Sequence, residues 1–142
     1  MKKSFFYASL ALLSMVFVMS SCNRYEEGAN FSLLTAKARL VNTWTMSSST
    51  FETGGNSTTN TGFSEVTVTF SKVNSYSYSG KYIGLPFSEE GEWAFNSDKT
   101  SVIMTEDNGD VETWKLIKLK NKELKVSTPL NNGTLTFEFT GE

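Results

Sequence analysis

From Asn42 to the C-terminus, apolar side chains recur at every second position, and short turn signals punctuate them. "EVTVTF" sets Val66, Val68 and Phe70 against Glu65, Thr67 and Thr69. "GTLTFEFT" sets Leu135, Phe137 and Phe139 against Thr134, Thr136 and Glu138, while "EWAF" pairs Trp93 with Phe95 and "ELKV" pairs Leu124 with Val126. A period of two belongs to strands with one buried and one wet face. Ser79-Gly80, Gly84 to Pro86, Asn96 to Lys99, Asn108-Gly109, Asn121-Lys122 and Asn131 to Gly133 supply the turns between them. Eight strands are predicted, at roughly 42–52, 62–72, 74–83, 87–96, 100–106, 110–119, 122–128 and 132–140. Short connections make sequence neighbours pair in space. A meander of eight antiparallel strands leaves two bare edges unless the first and last meet, and closure removes them. The expected fold class is therefore all-β: an eight-stranded antiparallel up-and-down barrel. A two-sheet sandwich is the alternative.

Two segments depart from the alternation. "SLLTAKARLV" (32–41) places Leu33, Leu34, Leu40 and Val41 on one face of a short helix, with Ser32 as the expected N-cap. In "TWKLIKLK", Trp114 and Leu116 share one phase, and Ile117 and Leu119 share the other. A bulge near Leu116–Ile117 would turn all four inward; a strand covered on both sides, by the helix for instance, would serve equally.

The first 21 residues follow a different logic. Lys2 and Lys3 precede an apolar run from Phe5 to Met19 that only Ser9 and Ser14 interrupt, and Ser20 and Ser21 are small. That is the layout of an export signal, and the run is shorter than the roughly 20 residues of a spanning helix. The sole cysteine, Cys22, follows at once. Met19-Ser20-Ser21-Cys22 resembles a lipobox, with Met in place of the more usual Leu, and the chain turns polar directly after it. The expected organisation is a signal peptide over 1–21, a tether over 22–31 and a barrel domain over 32–142. The membrane partner is then reached through acylated Cys22, where each buried methylene contributes about 0.8 kcal/mol. Removing 1–21 takes away two lysines and no acid, which leaves 11 basic against 15 acidic residues, a net charge of −4. A nucleic-acid partner needs a basic patch and is not expected.

Most catalytic chemistry has no carrier here. The chain contains no histidine, the commonest general base and metal ligand. The single Cys is assigned to the anchor, so thiol catalysis and Cys/His zinc sites have no ligands. "TGGNSTTNTG" has glycines but no following helix or closing Lys, so it is not a phosphate loop. Glu89, Glu90 and Glu92 cluster, as do Glu106, Asp107 and Asp110. A glycosidase pair would require two of them facing each other across a cleft. "EDNGD" lacks EF-hand spacing and reads as ordinary turn chemistry. The expectation is no enzyme, no metal and no cofactor, with both acidic clusters on solvated hairpins.

Several spacings resemble a known family. An opening with Leu33, Leu34, Leu40 and Trp44, a central Gly91-x-Trp93 followed by Ser97-Asp98, and a late rhythm of Trp114, Leu116 or Ile117, Leu119, Leu124 and Val126 are similar to the lipocalin-like domains of lipoproteins in Bacteroidetes-type bacteria. The resemblance covers roughly 33–140. One place differs: Asn42 stands two before Trp44, where the family often has Gly. The resemblance implies a calyx, a barrel with a helix near one end and a cavity open at the other, and it implies no catalysis.

The aromatic side chains on the strands are the candidate pocket lining: Trp44, Phe70, Tyr76, Tyr78, Trp93, Phe95, Trp114, Phe137 and Phe139. They suit an apolar or ring-bearing ligand. They also suit a core, because an eight-stranded barrel has room for its own side chains or one small ligand. Nine inward rings predict a mostly filled interior, with any cavity confined to the open end. Tyr76, Tyr78 and Tyr82 share one strand face, which would stack on sugars if exposed and pack inward if buried. Residues 53–62 are expected to form a flexible loop, placed where such barrels carry a lid. The functional expectation is a lipid-anchored binding protein of the bacterial envelope, in the outer membrane, that holds a small hydrophobic ligand. The alternative is an interaction module with a filled barrel, whose partner is an envelope protein or a glycan.

Overall fold

A computed structural model of the chain describes residues 25–26 and 33–142. The expected leader over 1–21, the acylation site Cys22 and most of the tether lie outside the described residues, as does Ser32. Among the described residues one short helix, α1 (Ala36–Leu40), precedes nine strands. These are β1 (Thr43–Thr53), β2 (Asn56–Thr59), β3 (Phe63–Phe70), β4 (Ser75–Tyr82), β5 (Leu85–Phe95), β6 (Ser101–Glu106), β7 (Val111–Leu119), β8 (Glu123–Leu130) and β9 (Gly133–Gly141). Every neighbouring pair is antiparallel, in the order β1-β3-β4-β5-β6-β7-β8-β9, and β9 pairs back onto β1 from Trp44↔Gly141 to Glu52↔Thr134. The sheet therefore closes as an eight-stranded up-and-down barrel, and the sandwich alternative falls away.

The ninth strand corrects the expectation of a flexible 53–62 loop. Gly54 and Gly55 sit at φ +57 and +80, and their tight turn folds β2 back onto β1 from Thr50↔Thr59 to Thr53↔Asn56. Two consecutive left-handed residues suit a two-residue hairpin, and glycine adopts that backbone without strain. β2 takes over the edge of β1 where β3 leaves it, since β3 pairs only with Thr43–Thr45. The segment is a hairpin arm beside the mouth, not a free lid.

The helix is shorter than expected. Thr35, not Ser32, is the N-cap, and its Oγ1 accepts a hydrogen bond from the Ala38 N–H at 3.1 Å. Leu33 is consequently 89% exposed, while Leu40 is fully buried. α1 closes the base of the barrel. The Trp44 indole N–H donates to Leu40 O at 2.9 Å, and Arg39 donates to Leu119 O at 2.7 Å. Asn42, standing where glycine was expected, links the base differently: its Oδ1 accepts from the Thr43 N–H and its Nδ2 donates to Glu142 O.

Bulges decide which side chains point inward. Register slips between Leu116 and Lys118, so Trp114, Leu116 and Leu119 are all buried. Ile117 is the exception to the four-residue expectation: it stays half-buried on the outer wall, beside Glu26, Lys125 and Glu138. The two described residues of the expected tether both touch the barrel domain. Tyr25 is only 4% exposed beside Arg39, and Glu26 forms an ion pair with Lys115 on β7.

Candidate functional site

The base and the mouth of the barrel are built differently. At the base, Phe70 packs edge-on to Trp93 and Trp114 at 5.7 and 6.4 Å, and Trp93 packs on Phe95 at 5.4 Å. Trp114 also meets Phe139 nearly parallel, 5.8 Å away. With α1 beneath, this half is a solid core. Towards the other end the rings thin out, and a cavity of about 740 Å³ opens, lined by Phe63, Tyr78, Phe87, Glu89, Glu112, Thr128, Leu135 and Phe137 among others. Its rim carries Tyr82, Val111 and Leu130, all exposed apolar side chains, with Ile83 and Leu85 in the same turn region. Ile83 holds φ at +51 in the two-residue β4–β5 turn, an unfavourable backbone for a β-branched residue.

Of the nine candidate lining residues, Tyr78 and Phe137 face this cavity. Trp44, Phe70, Tyr76, Trp93, Trp114 and Phe139 are buried among the packed rings, and Phe95 packs half-buried against them. They make the floor and body of the barrel, which leaves the open volume to other side chains. The tyrosine face points inward: Tyr76 and Tyr78 are buried, and only Tyr82 at the rim is exposed. It therefore offers no outer sugar-stacking surface.

Two acidic residues line the cavity that alternation alone assigned to solvent or did not mention. Glu89 shares the inward phase of β5 with Phe87 and Trp93, while Glu90 and Glu92 face out. Glu112 shares the inward phase of β7 with Trp114 and Leu116, and accepts a hydrogen bond from the Trp114 indole N–H at 2.8 Å. Glu106 is half-buried at the end of β6, tied to Asn108 Nδ2. Burial pushes the carboxyls of Glu89 and Glu112 above the usual range, and the charge of Glu106 adds to the rise in both. The Trp114 hydrogen bond holds Glu112 partly back down. Burial, with Glu106 and Glu89 nearby, pushes the Tyr76 hydroxyl up to about 12; burial raises Tyr78 as well, with Glu112 and Glu89 adding to it.

These shifts have a consequence for stability. An acid whose folded pKa lies above its unfolded value favours folding when protonated, and that advantage is lost as pH rises through the folded pKa. Glu112→Gln keeps an acceptor for Trp114 but removes the charge. Thermal melts at pH 8 should show the variant more stable than the parent, with the gap closing towards pH 4. A parent that is the more stable of the two at pH 8 would contradict the burial of this carboxylate.

Among the described residues no three acidic or cysteine side chains converge closely enough to hold a metal ion. No basic side chain among the described residues lines the cavity. Lys81 on β4 and Lys115 on β7 face outward and pair with Glu65 and Glu26. What the site offers is a half-open apolar bowl with aromatic walls and one acidic side.

A family model described as a lipocalin-like domain matches residues 40–126. No curated protein and no solved structure matches the chain. The matched stretch covers more than half of the sequence and runs from the last residue of the base helix through β1–β7 into β8 of the closed barrel; the chain belongs to the family of lipocalin-like domains.

Proposed function

We propose that this chain is a lipid-anchored binding protein of the bacterial envelope that holds a small, largely apolar ligand in the mouth of its barrel and performs no catalysis. The observation that carries the reading is the cavity of about 740 Å³ between a packed floor and an apolar rim, a volume within the range of small-molecule sites. A barrel filled from end to end would have favoured an interaction surface instead. Glu89 and Glu112 sit on one wall, on β5 and β7 with β6 between them, whereas a glycosidase pair flanks the bond it cleaves. That placement supports binding over hydrolysis.

The anchor is argued from sequence and reach. Tyr25 packs against Arg39 near the base helix, and three residues of chain span at most about 10 Å. An acyl group on Cys22 would hold the base close to the membrane and leave the mouth facing away from it. Mass spectrometry of protein purified from the envelope tests both parts. Under denaturing conditions the mass should equal residues 22–142 plus acyl chains. Under native conditions it should carry a further small molecule that organic extraction removes. An unmodified mass ends the anchor. A native mass with nothing bound, together with no binding of a neutral naphthyl dye, ends the ligand reading.

A further inference from the structure

The mouth is not uniformly apolar, and its polar features sit together. Glu89 on β5 and Glu112 on β7 present carboxylates into the cavity, and β4 contributes Tyr78 between the acidic side and the rings. Tyr78 is only 6% exposed, yet its hydroxyl has no hydrogen-bond partner among the described residues. The oxygen itself keeps contact with solvent although the ring is buried, so it is open to whatever enters the cavity. Phe63, Leu135 and Phe137 from β3 and β9, with Phe87 next to Glu89 on β5, form the apolar lining, and Phe63 stands edge-on to Phe87 and Phe137 at 6.3 and 5.4 Å.

We infer that the ligand is an amphiphile with a protonated amine at one end: an apolar chain or ring lying on Phe63, Phe87 and Phe137, and an ammonium group held by Glu89, Glu112 and the Tyr78 hydroxyl. The inference rests on the proposed binding role of the cavity and adds the chemical class. An ammonium is donor-only, and it meets two carboxylates and a hydroxyl oxygen that all accept. A carboxylate ligand would meet like charge with no compensating base. A neutral ligand would leave two carboxylates desolvated against each other, an unfavourable arrangement that a cation relieves. An inorganic cation has no ligand cluster among the described residues, whereas a single ammonium needs only hydrogen-bond reach. Burying the ammonium between two carboxylates and an aromatic hydroxyl adds charge-assisted hydrogen bonds.

Three eight-carbon probes separate the head group from the chain: octylamine, 1-octanol and octanoate, titrated calorimetrically into the full-length mature protein at pH 7.5. Octylamine should bind at least about tenfold more tightly than octanol, the yield of one charge-assisted hydrogen bond, and octanoate should bind most weakly. In the double variant E89Q/E112Q the amine preference should fall to about twofold or less while octanol affinity holds, and that octanol signal also reports whether the variant is folded. A second measurement needs no variant. The titratable groups lining the site are Glu89 from β5, Glu112 from β7, and Tyr78 and Tyr82 from β4, with Glu106 on β6 and Tyr76 on β4 near enough to act on them; β3, β8 and β9 contribute Phe63, Thr128, Leu135 and Phe137, none titratable. Tyrosines stay neutral and the amine stays charged below pH 8. Lowering pH from 7.5 to 4.5 should therefore weaken octylamine as the carboxylates protonate, and leave octanol unchanged. Octanol equal to or tighter than octylamine overturns the amine inference and leaves the apolar cavity standing. A preference that survives the double variant, or a pH-independent one, overturns the assignment to Glu89 and Glu112. Failure of all three probes overturns the inference together with the binding role beneath it.

Discussion

Trp114→Ala should lower the unfolding free energy by about 3–5 kcal/mol, the range for removing a large buried aromatic. Trp114 is fully buried and touches four rings: Phe70, Tyr78, Phe137 and Phe139. Those rings come from three different strands, β3, β4 and β9, and from both halves of the barrel, so no single shift can fill the space left behind. The void would also join the open cavity above, because Tyr78 and Phe137 belong to both the packed floor and the mouth. Glu112 would lose its indole donor at the same time and stand as a buried carboxylate with one fewer partner. A domain of this size has about 5–15 kcal/mol in all, so the loss is a large share. Urea unfolding should report it as a lower midpoint. Trp114→Phe, which keeps most of the apolar volume and drops only the N–H, should cost about 1–2 kcal/mol. A loss below about 1 kcal/mol for the alanine variant would mean that the floor is not packed as described.

The barrel was legible because its strands obey a simple alternation over most of their length. Trp93, Leu124, Val126, Leu135, Phe137 and Phe139 are buried as their phase requires. Simple alternation fails where the phase breaks. Phe63 lies an odd number of residues from Val66, which puts it on the wet face by counting. The backbone at Glu65 adopts φ +54 and the register slips between Ser64 and Thr67, and this turns Phe63 inward. β1 slips between Met46 and Ser48 in the same way, so that Trp44 and Phe51 both pack against the interior. A bulge leaves little trace in composition, and only at Leu116–Ile117, where two apolar pairs collide, did the sequence announce one.

The cavity was legible in place but not in lining. Counting rings put the open space at the mouth, and that is where it lies. Yet the rings counted were the ones that fill the base, since bulk is what removes volume. The residues that face the space are smaller, or acidic. Glu89 and Glu112 each occupied an inward phase in plain sight, two and four places before Gly91 and Trp93 in one case and two before Trp114 in the other. Clustering with Glu90 and Glu92 disguised the first as part of a solvated run. A carboxylate on the apolar phase of a strand is the signal that was available, because burial there is costly without a use for the charge.

Gly91→Ala should be disruptive for a reason opposite to the usual one. Replacing glycine within a strand ordinarily gains stability, because alanine has less backbone entropy to lose. Here a Cβ at 91 would sit 2.0 Å from the Thr105 carbonyl oxygen and 2.9 Å from the Glu106 Cα. These are backbone atoms of β6, paired directly with β5 through Gly91↔Glu106 and Glu92↔Thr105, and no rotamer change moves them away. Accommodation requires prising β5 from β6 at the point where Trp93 reaches down into the core and Glu89 reaches up into the mouth. We expect a loss of about 3 kcal/mol, the upper part of the range for overpacking, with the ligand site disturbed alongside. Gly109→Ala separates crowding from backbone preference: nothing lies within 4 Å of its Cβ position, but its φ is +95. Its cost should be about 1–2 kcal/mol, from the left-handed backbone alone. If Gly91→Ala proved no worse than Gly109→Ala in urea unfolding, the close approach of β5 and β6 would be refuted. If it is clearly worse, the Gly-x-Trp spacing has a physical meaning: the glycine lets two strands touch, and that contact sets the depth at which Trp93 closes the floor beneath the cavity.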